Sequence, residues 1–250
     1  MSETEIIYGV NPVLEVLKAG TRRCHEVFLA DKKKTGVVEQ IAKIADKRKV
    51  SVNKVSREQL GNLSNSNKHQ GVAARVDCFK YHNLESLIEV AIDDDQKAFI
   101  IILDGITDPQ NVGSLIRTAH LLGVHGAIMP RDNACAVTPA VVKASAGATE
   151  YLPIVQVTNI TNTIKYLKNK GIWVAAAEAC AEKSIYDTEF AGYNFALVLG
   201  SEGAGVRRLV RETCDFLVYI PMRGQIASYN VSVAGALLMG EVARQRRNCF

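Results

Sequence analysis

Ala196-Leu197-Val198-Leu199 runs straight into Gly200-Ser201-Glu202-Gly203-Ala204-Gly205. An unbroken apolar run reads as a buried strand, and the glycines after it let backbone amides approach a ligand closely. A phosphate-binding loop of this design carries a lysine, and its amides face anionic oxygens. Here the loop carries Glu202, whose carboxylate would repel a pyrophosphate. Such a loop favours a nucleoside-like ligand that is neutral or cationic. S-adenosylmethionine, with its sulfonium and no phosphate, meets both conditions.

The surroundings of this loop set the fold class. From Ala98 onward, apolar runs at 99–103, 126–129, 172–177, 196–199 and 216–220 read as strands. Helical spacing covers 112–122, 138–145, 160–169, 206–212 and 231–246. Strands that are apolar throughout and alternate with helices predict an α/β domain with a mostly parallel sheet covered on both faces. Ligands of such sheets bind beyond the carboxyl ends of the strands. Three punctuated segments fall at those ends: 103–117, the Glu202 loop, and 228–236.

The N-terminal part has a different character. Residues 1–76 hold 14 Lys and Arg against 8 Asp and Glu, whereas the remainder holds 16 against 18. A basic module joined to a near-neutral one suggests that the first finds a polyanion and the second acts on it. A helix after Asn11-Pro12, a strand at 25–30, a helix near 37–45 and strands at 50–55 and 71–76 make a small α/β unit. Lys32, Lys33 and Lys34 in a loop, with Lys47, Arg48 and Lys49 at a helix end, are candidate phosphate contacts. Residues 77–97, with Asp93-Asp94-Asp95, read as a linker, leaving 98–250 as the second domain. Removing 1–76 is then expected to weaken binding of the polyanion and leave ligand binding in the second domain largely intact.

With 48% apolar and 22% charged residues, the 250-residue chain has an ordinary globular composition. No stretch approaches the roughly 20 apolar residues of a membrane span. The acidic Met1-Ser2-Glu3-Thr4-Glu5 start is unlike a secretory leader. Six scattered cysteines without zinc-ligand spacing read as reduced thiols, and the expected location is the cytoplasm.

Within the first segment, Asp108-Pro109 turns the chain and Asn111 is a natural helix N-cap. Arg117 lies six positions on and is expected to face the loop cleft. In the third segment, Ser228 or Asn230 can cap a helix whose small residues 234–236 suit close packing against a nucleoside. Taken singly, each segment also describes an ordinary turn or capped helix.

Taken together, the three segments resemble the signature motifs of the SpoU branch of SPOUT methyltransferases, which methylate ribose 2′-hydroxyls of RNA. The likeness extends to Tyr8-Gly9-Val10-Asn11-Pro12-Val13 and His69-Gln70-Gly71-Val72-Ala73, features of the bacterial branch acting on a guanosine of 23S rRNA. The resemblance implies a C-terminal α/β fold with a deep trefoil knot, an N-terminal L30e/L7Ae-like domain and a homodimer. It implies that Asn111, Arg117, Glu202, Ser228 and Asn230 act in catalysis. The backbone around Gly200, Ile220 and Tyr229 would hold the S-adenosylmethionine, with no metal. The third motif usually has Leu where this chain has Tyr229, which leaves the shape of the adenine pocket open. The partner implied is RNA rather than DNA or membrane. A tRNA ribose methyltransferase and a non-catalytic RNA-binding protein of the same fold are the alternatives. A dinucleotide enzyme fits poorly, because the loop spacing is G-x-x-G-x-G and carries Glu202.

Overall fold

The computed structural model describes residues 3–31, 36–94 and 97–246, so Lys32, Lys33 and Lys34 lie outside the described residues. The chain divides into two units, residues 1–80 with 137–151, and residues 81–136 with 152–250. Among the described residues, no helix is long and apolar enough to cross a membrane.

Through residue 77 the chain forms β1 (Thr4–Tyr8), α1 (Val10–Ala19), β2 (Cys24–Ala30), α2 (Gly36–Lys47), β3 (Ser51–Val55), α3 (Arg57–Ser64) and β4 (Val72–Asp77). The four strands make a mixed sheet in the order β1-β4-β2-β3. Helix α1 buries Pro12, Val13, Leu14, Val16 and Leu17 and stops at left-handed Gly20. Ser56 and Gln59 form a reciprocal capping box that starts the otherwise polar α3.

The chain continues through α4 (Leu84–Asp93), β5 (Phe99–Asp104), α5 (Pro109–Leu121), β6 (Gly126–Pro130) and α6 (Pro139–Ala144). Then come β7 (Ile154–Val157), α7 (Ile160–Asn169), β8 (Trp173–Ala177), β9 (Lys183–Ser184), β10 (Phe195–Gly200), α8 (Arg208–Thr213), β11 (Phe216–Tyr219) and α9 (Val231–Arg246). Seven strands align in the order β7-β6-β5-β10-β8-β11-β9, and every pairing is parallel. All six residues of β5 are buried, as are five of the six in β10. That is why both strands read as continuous apolar runs.

Two findings depart from the expected organisation. The stretch 77–97, read as a linker, contains α4, which Asn83 caps by accepting from the Ser86 amide. Its Leu87, Ile88 and Ala91 are buried in the same cluster as Ile100, Ile128 and Ile164. An amphipathic helix with an apolar stripe is part of a core, whatever its acidic end suggests.

The second departure concerns α6. It follows the expected strand–helix alternation, yet with the turn Ala148–Glu150 it belongs to the first unit. Arg22, 8% exposed, meets Glu150, 6% exposed, at 2.5 Å through Nη2, and its Nη1 reaches Glu5 Oε1 at 2.5 Å. Thr21 Oγ1 donates to Glu150 Oε2 at 2.8 Å, and Tyr151 OH donates to Glu15 at 2.7 Å. At Gly147 (φ 91°) a Cβ would sit 2.8 Å from Glu15 Cβ, so this crossing demands a glycine.

Burial pushes the Cys24 thiol up to about 11 and the Cys214 thiol up to about 12, so both are neutral at physiological pH.

Candidate active site

The carboxyl ends of β10, β8 and β11 enclose a cavity of about 360 Å³ in the second unit. That volume is in the range of small-molecule sites. Three stretches of backbone form its walls: Ala177–Ala179, Leu199–Gly205 and Val218–Ile220. Segment Ala227–Tyr229 and the first turns of α9 close it.

Local chemistry shapes the glycine loop. Ser201 and Gly205 exchange backbone hydrogen bonds at 3.1 and 2.9 Å, pinching the loop shut. Gly200 stands against the returning chain, where a Cβ would run into the Gly205 backbone. Beyond the loop, Arg207 is fixed to Asp104 at the end of β5. Its amide reaches Oδ2 at 2.9 Å, its Nε reaches Oδ1 at 2.8 Å and its Nη2 reaches Oδ1 at 2.5 Å. Asp104 is 1% exposed. A buried carboxylate needs such a partner, and this pair anchors the return limb of the loop.

The three punctuated segments converge. Asn111 Nδ2 donates to Glu202 Oε1 at 3.0 Å, and Asn230 Nδ2 donates to Asn111 Oδ1 at 3.0 Å and to Glu202 Oε1 as well. Asn230 Oδ1 also accepts from the Ser232 amide at 3.0 Å, so Asn230 caps α9. At α5 the cap is Asp108, which accepts from the amides of Gln110 and Asn111, not Asn111 itself. Pro109 at the first helical position leaves that role to the preceding residue and frees the Asn111 side chain.

Gly200, Glu202, Ile220, Ser228 and Tyr229 all line the cavity. Arg117 does not. It is exposed, without a hydrogen-bond or ion-pair partner among the described residues, because α5 buries Val112, Leu115, Ile116 and Ala119 on the other side. The expectation that it faces the loop cleft is therefore corrected to one of solvent exposure. The small residues of α9 are also reassigned. Ala234 lines the cavity, whereas Gly235 packs against Leu115 and Leu199.

Two carboxylates, Glu178 and Glu202, and no Lys or Arg stand among the cavity-lining residues. Apolar Leu199, Val218, Met222 and Leu238 complete the wall. Such a lining suits the flat apolar faces and positive charge of a sulfonium nucleoside and disfavours a phosphate. Sequence reasoning missed Asp104, Glu178 and Arg207. The available signal was a carboxylate at the end of an apolar run: Asp104 is the last residue of β5 and Glu178 the first after β8.

This arrangement defines a parallel α/β enzyme with a nucleoside-type site at its strand ends. The SpoU rRNA methylase family matches residues 98–240, and the substrate-binding domain of RNA 2′-O ribose methyltransferases matches residues 6–82. The 23S rRNA (guanosine-2′-O-)-methyltransferase RlmB of Coxiella burnetii is 40% identical over 248 residues, covering 98% of each chain. A TrmH family tRNA/rRNA methyltransferase of Bacillus subtilis, YacO, is 38% identical over 242 residues, covering 97% of this chain and 96% of that one. The SpoU methyltransferase AviRb of Streptomyces viridochromogenes, crystallised with AdoMet, superposes with a TM-score of 0.80 at 23% identity, covering 98% of this chain and 91% of that one. The chain belongs to the SpoU methylase family, and its activity is 2′-O-methylation of ribose in RNA.

Proposed function

We propose that this protein transfers a methyl group from S-adenosylmethionine to the ribose 2′-hydroxyl of a guanosine in 23S rRNA. It acts as a cytoplasmic homodimer. The observation that carries this reading is the union of Glu202 with Asn111 and Asn230 beside a cavity lined by carboxylates and no cation. When bound, the cofactor supplies an activated methyl on a sulfonium, which leaves as a neutral thioether.

The chain's own residues do the rest. Backbone around Gly200, Ile220 and Tyr229 holds the adenosyl group, with Tyr229 contributing through its main chain. Glu202 complements positive charge and is itself oriented by two amides. Asn111 and Asn230 tie the loops together and orient the ribose, and Ser228 acts with them from the cavity wall. Arg117, exposed and without a partner among the described residues, is available to the RNA. A guanidinium essentially never deprotonates in proteins. It therefore serves as a charge that anchors the neighbouring phosphate and stabilises the developing alkoxide.

The homodimer is supported by apolar side chains left uncovered on the packed pair α5 and α9. Leu121, Val233 and Leu237 are 70%, 47% and 38% exposed. A second copy would cover them. The hydrogen bond from Asn230 back to Asn111 brings the last motif onto the first, which is compatible with a trefoil-knotted catalytic domain. A small mixed sheet flanked by helices is consistent with an L30e/L7Ae-like module over 1–76.

That module binds RNA. Arg23, His25, Arg48 and Lys49 surround a cavity of about 370 Å³ whose lining residues include no Asp or Glu. Lys47 is exposed beside them, and Lys32, Lys33 and Lys34 extend the set in sequence. Replacing Arg23 and Lys49 with glutamine should lower the slope of log affinity against log salt by about two, roughly one per lost phosphate contact. An unchanged slope would place the RNA elsewhere.

Labelled S-adenosylmethionine incubated with separate rRNA and tRNA pools tests the whole reading, followed by mapping of the modified ribose. Label on a 23S guanosine 2′-oxygen is expected. Label confined to tRNA would select the tRNA reading, and no label in either pool would select a non-catalytic RNA binder.

A further inference from the structure

Glu178 directly follows β8 on the wall of the cofactor cavity, and none of the three motifs contains it. Its backbone is fixed: the amide donates to Val218 O at 2.9 Å, and the carbonyl accepts from the Ala181 amide at 3.2 Å. Its side chain is held at one oxygen only. Oε1 accepts from the Val206 amide at 3.1 Å, which sets the carboxylate against the return limb of the glycine loop. Oε2 has no hydrogen-bond partner among the described residues. A half-satisfied carboxylate on a cavity wall is a strong acceptor waiting for a donor.

Its place in the sheet indicates which donor. Strands β10 and β8 are parallel neighbours, with Val198 opposite Ala176. Continuing that register by two residues sets Glu178 opposite Gly200, where the glycine loop begins. In parallel sheets that bind dinucleotides, a glycine loop follows one strand, and a carboxylate farther along the chain takes a ribose hydroxyl of the nucleoside held there. The same division of labour is available here, with the carboxylate preceding the glycine loop in the chain and the pyrophosphate contacts absent. Glu202, the other carboxylate of the wall, is already engaged by Asn111 and Asn230.

We propose that Glu178 is a specificity-determining residue for the cofactor, its carboxylate accepting a hydrogen bond from a ribose hydroxyl of the adenosyl group. This rests on the S-adenosylmethionine reading above. The charge it brings is shared with the loop through the Val206 amide, so nucleoside capture and loop position are linked at one side chain.

Calorimetry on the full-length protein tests the assignment, with S-adenosylhomocysteine, 5′-methylthioadenosine and the 2′-deoxy and 3′-deoxy forms of S-adenosylhomocysteine as probes. Glu178→Gln retains an oxygen for the Val206 amide and replaces the other with a donor. It should weaken S-adenosylhomocysteine about tenfold, the scale of losing one charge-assisted hydrogen bond. It should weaken 5′-methylthioadenosine, which lacks the amino-acid moiety, by the same factor, and one of the deoxy forms hardly at all. Wild-type affinity in the variant would overturn the proposal. So would a loss confined to S-adenosylhomocysteine, which would move the carboxylate to the cofactor's ammonium. Failure of the wild-type protein to take up S-adenosylhomocysteine would instead overturn the cofactor reading, and this proposal with it.

Discussion

Arg117→Ala is expected to lower methyl transfer about 10²–10³-fold, the scale of losing one group that stabilises transition-state charge. Affinity for S-adenosylhomocysteine should not change, because Arg117 is exposed and absent from the cavity wall. Stability should hold within about 0.5 kcal/mol, as for other surface substitutions away from buried features. The pH profile carries the mechanistic content. If the guanidinium stabilises the developing alkoxide, its loss moves the rising limb of the rate to higher pH. Arg117→Lys should recover part of the rate, since it keeps the charge but loses the planar fork that grips a phosphate. Near-wild-type turnover in the folded alanine variant would remove Arg117 from the reaction.

Strands buried on both faces were the most legible elements. Apolar runs leave little choice about β5, β6, β10 and the start of β8, and the structure places each within a residue or two of its expected bounds. Elements defined by something other than apolarity were missed. Strand β9 has two residues, Lys183 and Ser184, and pairs only at the sheet edge. Strand β7 is four residues long, and α3 depends on its capping box more than on an apolar face. Helix α4 was hidden by the acidic run that follows it. At the site, the resemblance of the three segments to the family's motifs brought out Asn111, Glu202 and Asn230, and the structure joins all three. For Asp104 and Glu178 the sequence offers only a carboxylate at the end of an apolar run, and for Arg207 it offers nothing. Their meeting with the glycine loop depends on β10 inserting between β5 and β8, an order that no local pattern encodes.

The same limit hid the double crossing of the chain at 137–151, and the expected consequences of altering it are large. Arg22→Ala should destabilise the first unit by about 3–5 kcal/mol, the cost of stranding a buried carboxylate when its partner is removed. Glu150 would keep only the Thr21 hydroxyl and the contact with Thr149. Glu5, whose carboxyl burial already pushes up against the pull of Arg22, would lose its counter-charge too. Replacing Arg22→Met together with Glu150→Leu and Glu5→Gln should restore most of the stability, because no unpaired charge then remains. The probe matters. The single tryptophan, Trp173, lies in the second unit, so its fluorescence reports the wrong part of the molecule. Hydrogen exchange of the 139–150 amides reads the first unit directly, and unchanged protection there in Arg22→Ala would refute the argument. The same contacts revise the expected result of removing residues 1–76. Val141, Val142 and Ala148 are 0%, 0% and 7% exposed, in a segment assigned to the first unit. Their cover would go with the deletion. The truncated protein should therefore lose protection across 137–151 and aggregate, rather than survive as an intact domain that merely binds RNA less well.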